Sequence, residues 1–102
     1  MGSLPELFDS LAKRPHMFVH PVDYSSMKGY LTGLAMGLRF AGIEWTWDDY
    51  LAAAEARGWD PRGDIGILRD FARKGLSDAE MVQELIAIEA DAYARTNRKT
   101  TE

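Results

Sequence analysis

The run from Met27 to Ile43, Met-Lys-Gly-Tyr-Leu-Thr-Gly-Leu-Ala-Met-Gly-Leu-Arg-Phe-Ala-Gly-Ile, is the most apolar stretch of the chain and places glycines at 29, 33 and 37. Four-residue spacing sets all three on one stripe of a helix. Each interior glycine costs a helix roughly 0.5–1 kcal/mol relative to alanine, so three in register ask for a packing reason. The expected reason is a second element lying directly against the bare backbone. Lys28 and Arg39 leave only ten residues between charges, against the roughly 20 apolar residues a membrane span needs. The stretch is therefore expected to be the central helix, residues 26–42, of an all-α bundle without a membrane segment.

The rest of the chain is punctuated for helices around it. Ser3-Leu-Pro-Glu6 combines a capping serine, a first-turn proline and a glutamate three residues after the cap. It predicts a helix to about Lys13, with Leu4, Leu7, Phe8 and Leu11 on one face. Pro15 stops that helix. His16 to Asp23 then reads as an extended connector whose Met17, Phe18 and Val19 tuck into the core. Ser25 or Ser26 can cap the glycine helix, and Gly42 suits a left-handed exit. Thr46-Trp-Asp-Asp49 opens a third helix with two acids in its dipole-positive turn, ending near Arg57 before Gly58. Trp59 to Asp64 is turn chemistry. A fourth helix runs from Ile65 to Lys74, with Ile65, Leu68, Phe71 and Ala72 at helical spacing. Ser77-Asp-Ala-Glu80 is a capping box that starts the last helix. Its apolar face holds Met81, Leu85, Ile88 and Ala92, flanked by Val82, Ile86 and Tyr93. No segment alternates with a period of two, so no sheet is expected. The prediction is about five helices in one domain over residues 1–96, with a fraying polar tail over 97–102.

A chain of 102 residues has room for one modest core. With no cysteine, disulfides, thiol catalysis and zinc–thiolate sites are excluded. Glu6 and Asp9 sit where the apolar core of a secretory leader would lie, and a cytoplasmic location is the expectation.

Catalytic chemistry finds little purchase. His16 and His20 are four apart, a spacing that aligns two imidazoles on a helix, but Pro15 and Pro21 exclude a regular helix there. Asp48 and Asp49 with Glu55 could serve a metal or acid–base role. Adjacent aspartates, however, point about 100° apart on a helix, and their position fits dipole compensation. No phosphate-cradling loop is present, and no serine is paired with a histidine. The expectation is a non-enzyme with no cofactor and no metal.

Binding is better motivated. The net charge of −4 conceals a segregation: residues 44–64 hold six acids (Glu44, Asp48, Asp49, Glu55, Asp60, Asp64) against two arginines, and 78–92 hold five acids and no base. Such a balance disfavours a nucleic-acid backbone and favours basic partners. All three tryptophans, Trp45, Trp47 and Trp59, fall within fifteen residues, among these acids. An exposed indole with a charged rim has the anatomy of an interface anchor, though core packing can also claim some of these rings. The corner around Gly75 has the form of a helix-turn-helix, but its second helix opens with Asp78, Glu80 and Glu84, which would face phosphate.

Arg14-Pro15-His16-Met17-Phe18-Val19, followed by Ser25/Ser26 and by Leu31-Thr32-Gly33-Leu34-Ala35, resembles a pattern in small bacterial immunity proteins encoded beside polymorphic or contact-dependent toxins. His16 stands where that family commonly has glycine, and Leu34 where it has an aromatic residue. The resemblance spans residues 7–42 and implies a protein that binds and occludes a cognate toxin; it implies no catalytic residues. The expected partner is a basic bacterial toxin, with no nucleic acid and no membrane. The expected contact surface is Glu44, Trp45, Trp47, Asp48, Asp49, Glu55, Trp59, Asp60, Glu80 and Glu84. Two other readings stay open: a transcriptional or architectural protein using the Gly75 corner, and a homodimeric subunit joined through the glycine stripe.

Overall fold

A computed structural model describes residues 3–62 and 66–101, with side chains through Asn97. Among them the chain is all-α. Helices α1 (Leu4–Lys13), α2 (Tyr24–Phe40), α3 (Trp47–Ala56), α4 (Gly66–Lys74) and α5 (Asp78–Thr101) follow in order, with a short 3-10 turn at Pro15–Met17. No helix among the described residues is long and apolar enough to cross a membrane.

The starts and stops follow local chemistry. Ser3 accepts the Glu6 N–H, Thr46 accepts the Asp49 N–H, and Ser77 and Glu80 exchange side-chain and backbone bonds in a complete capping box. Gly42 (φ 83°) and Gly58 (φ 88°) take the left-handed exits of α2 and α3. The cap of α2 is Asp23, which accepts the Ser26 N–H at 2.8 Å, rather than Ser25 or Ser26. Asp23 lies two and three residues before these serines, and a carboxylate at a helix N-terminus is also favoured by the dipole. Helix α5 continues to Thr101, through residues whose polarity predicts fraying. Ile65, the expected start of α4, lies outside the described residues.

Helices α1, α2 and α3 all pack on α5. The core joins Phe8 and Leu11 of α1, Met27 and Leu31 of α2, Tyr50, Ala53 and Ala54 of α3, Ile67 and Phe71 of α4, and Val82, Leu85, Ile86, Ile88 and Ala92 of α5. Fully burying each large member stabilises the fold by roughly 1.5–3 kcal/mol. On α4 the core stripe is Ile67 and Phe71, while Leu68 is exposed. In the connector, Phe18 and Val19 are half-buried, but Met17 points outward and is 67% exposed. The 3-10 turn there rotates it away from its neighbours.

The glycine stripe does not do what its spacing suggests. Gly29, Gly33 and Gly37 are exposed, and a Cβ built on any of them would meet nothing within 4 Å. Among the described residues no other element lies against the glycines on that side of α2. The helix is held from its opposite face, through Met27 and Leu31, and the outer side also exposes Met36 and Phe40.

Candidate functional site

The most chemically loaded place in the molecule is a hollow of about 600 Å³ between α2 and the aromatic start of α3, walled on a third side by α4. Its floor is Glu89 of α5, which is only 7% exposed. Trp45 donates its Nε1–H to Glu89 Oε2 at 3.1 Å. Tyr50 lies between the two indoles, its ring centroid 4.6 Å from that of Trp45 and 5.8 Å from that of Trp47, with the latter pair stacked at 16°. From α2 come Lys28, Thr32, Met36 and Arg39, and from α4 Ile67 and Leu68. Gly66 lets α4 begin against Pro61, since a Cβ there would lie 2.6 Å from the Pro61 carbonyl oxygen.

Burial governs the electrostatics of the floor. Desolvation pushes the Glu89 carboxyl up to about 7, against the opposing pull of the Trp45 hydrogen bond and the Lys28 charge. Tyr50 is likewise raised, first by burial and then by the negative charge of Glu89. Arg39 is engaged by Glu44 at 3.0 Å, whereas Lys28 forms no ion pair among the described residues. Glu89 thus changes charge near neutrality inside an aromatic hollow.

The expected contact residues do not form one acidic surface. Trp45 and Trp47 enter this hollow together, Trp45 half-buried and Trp47 half-exposed at 50%. Asp49 is inside the protein, 3% exposed, where its Oδ2 accepts hydroxyl bonds from Thr46 at 2.9 Å and Thr96 at 2.7 Å. Capping turns it inward, so it offers no surface to a partner. Trp59, Glu80 and Glu84 lie apart from the hollow, beside Arg57. Trp59 packs edge-on against Phe71 and donates to Glu84 at 2.7 Å. Arg57 forks the same carboxylate at 2.8 and 2.6 Å and holds it below the usual carboxylate range. Asp60 is bridged by Arg62, Glu44 by Arg39, and Glu80 serves the capping box. Asp48 and Glu55, both exposed on α3, form no ion pair among the described residues. Of the expected acids, Glu44, Asp60 and Glu84 are thus paired with the chain's own arginines, and Asp49 and Glu80 are held by hydroxyl and capping bonds.

Glu89 itself carried a signal that went unused. It falls on the Val82–Ile86–Tyr93 stripe of α5, where helical spacing demands an apolar residue.

A larger hollow of about 900 Å³ lies between α1, α5 and the Gly42–Glu44 turn. Its three acids, Asp9, Glu44 and Asp91, are already paired with Lys13, Arg39 and Arg95. It therefore lacks the unpaired charge that marks the Glu89 hollow. Among the described residues no three His, Asp or Glu side chains gather as a metal site. Comparison with protein-family models, curated proteins and solved structures finds no match to this chain.

Proposed function

We propose that this chain is a non-enzymatic binding protein of the immunity type, acting by stoichiometric occlusion of a basic protein toxin. The observation that carries this reading is the exposed apolar rim of the Glu89 hollow. Met36, Trp47 and Leu68, three of the six exposed large apolar side chains among the described residues, come from three different helices and line the same cavity. A tryptophan at the lip of a concave, partly desolvated site has the anatomy of a binding hot spot. Asp48 and Glu55, exposed on α3 and in no ion pair among the described residues, supply negative charge that steers a basic partner. The reading also accounts for a buried carboxyl under an aromatic wall, which costs stability and asks for a use.

The helix-turn-helix alternative has less support. Its recognition helix would be α5, the helix that α1, α2 and α3 cover, so little of it is free to enter a groove.

Mixing the chain with the product of a neighbouring toxin reading frame tests the proposal by calorimetry and size exclusion. A 1:1 complex is expected, weakened by roughly tenfold or more in Trp47→Ala. A chain that binds no such product, or a Trp47→Ala variant that binds it unchanged, overturns the assignment.

A further inference from the structure

We infer that the hollow over Glu89 is a socket for one arginine side chain of the partner; this rests on the binding role proposed above. The molecule contains its own template. On α5, Glu84 accepts the indole N–H of Trp59, and the Arg57 guanidinium completes the group by closing on both carboxylate oxygens. Five residues further along the same helix, Glu89 accepts the indole N–H of Trp45 in the same way. No guanidinium among the described residues meets it. Glu89 Oε1 has no hydrogen-bond partner among the described residues, and the residue lines the open hollow.

The surroundings suit an arginine. A volume of about 600 Å³ accommodates its side chain. Trp45 and Trp47 line the hollow and offer indole surface on which a planar guanidinium stacks, and Met36, Ile67 and Leu68 can cover its methylene stem.

Charged and titratable groups reach Glu89 from α2, α3 and α5. Lys28 of α2 acts on the Glu89 charge, which in turn acts on Tyr50 of α3 and Tyr93 of α5; Tyr24 and Arg39 of α2 also line the hollow, with Arg39 already engaged by Glu44. The α4 wall supplies Ile67 and Leu68, which carry no charge. Lys28 opposes an incoming cation, yet its attraction does not offset the burial of Glu89. The carboxylate still lacks a counter-charge. A guanidinium entering the socket provides it, and the proton held by Glu89 leaves to solvent.

The test is an NMR titration of the whole chain, following the Trp45 indole N–H. The probes are N-acetyl-L-arginine methylamide, the uncharged citrulline analogue of the same shape, and the glutamate analogue. A saturable shift is expected with arginine alone. Binding should be about tenfold tighter at pH 8 than at pH 6, as the ionised fraction of a carboxyl titrating near 7 requires. Glu89→Gln keeps an acceptor for Trp45 and should lose about tenfold or more in arginine affinity. At about pH 9, where Glu89 is ionised with or without Lys28, Lys28→Gln should tighten binding by about threefold, because it removes the opposing charge.

Citrulline binding as well as arginine, unchanged affinity in Glu89→Gln, weaker binding in Lys28→Gln, preference for the glutamate analogue, or no saturable shift each overturns the socket. The two proposals fail separately. Arginine bound by a chain that binds no toxin leaves the socket and removes the immunity role. A toxin bound equally by wild type and Glu89→Gln does the reverse.

Discussion

Trp45–Glu89 and Trp59–Glu84 are the same pair of residue types, joined by the same hydrogen bond, with both glutamates on α5. Their electrostatic states are opposite. Arg57 holds the Glu84 carboxyl low, while burial without an adjacent base drives Glu89 up to about 7. Two things differ: Arg57 closes on Glu84, and Glu89 is the more deeply buried of the two. Among the described residues the Trp59 cluster is completed by a guanidinium, and the Trp45 cluster is not. A satisfied pair of this kind is scaffold, and an unsatisfied one is where recognition chemistry has room to act.

The largest expected effect comes from removing the unsatisfied member. The Glu89 carboxyl rises on folding, so the folded state holds a proton that the unfolded chain has released. Stability from this group is fully present below about 4.5 and is lost as pH rises through about 7. Glu89→Gln should therefore be more stable than wild type by roughly 3 kcal/mol above neutrality and nearly equal to it below about pH 4.5. Urea denaturation across that range checks this, and a parallel pair of pH profiles would break the comparison.

Breaking the satisfied pair should do the opposite and do less. Arg57→Gln leaves Glu84 without its fork and should cost about 1 kcal/mol near neutrality, since both groups are partly exposed. Because Glu84 is depressed, that deficit should vanish as pH falls through its lowered value. Trp45→Phe sharpens the contrast from the other side. It removes the donor that holds Glu89 down, so the Glu89 titration should move higher still by NMR, with a stability change of about 1 kcal/mol.

The smallest effect belongs outside both clusters. Gly33→Ala meets open space and should stabilise the chain by about 0.5–1 kcal/mol through helix propensity. Gly66→Ala, which would drive a Cβ onto Pro61, should instead loosen the α4 wall of the hollow. Thermal melts distinguish the two directions.

Much of the fold was legible in the sequence because helix ends are decided locally. Ser3, Thr46 and the Ser77–Glu80 box cap where their spacing says they should, and Gly42, Gly58 and Gly75 all adopt positive φ. Periodicity also placed the apolar face of α5. What periodicity cannot tell is which stripe another element covers. The glycine stripe of α2 lies on the uncovered side, and Leu68 lost its place in the core to its neighbour Ile67.

The site was less legible because its interactions are distant in sequence. Trp45 meets Glu89 across 44 residues, and Arg57 meets Glu84 across 27. A segment rich in acids reads as an acidic surface until those partners are known. Once they are in place, most of the carboxylates prove to be spoken for.

The sharing of α5 bears on the order of assembly. Ribosomes release α1, α2 and α3 before α5, the last of the five helices, so none of the three can bury its apolar stripe as it emerges. Phe8 must wait for Tyr93, its ring partner 5.7 Å away in the folded chain and 85 residues later in synthesis. Contacts of such separation slow folding. The interval before α5 emerges is therefore when the apolar stripes of α1, α2 and α3 are most open to aggregation.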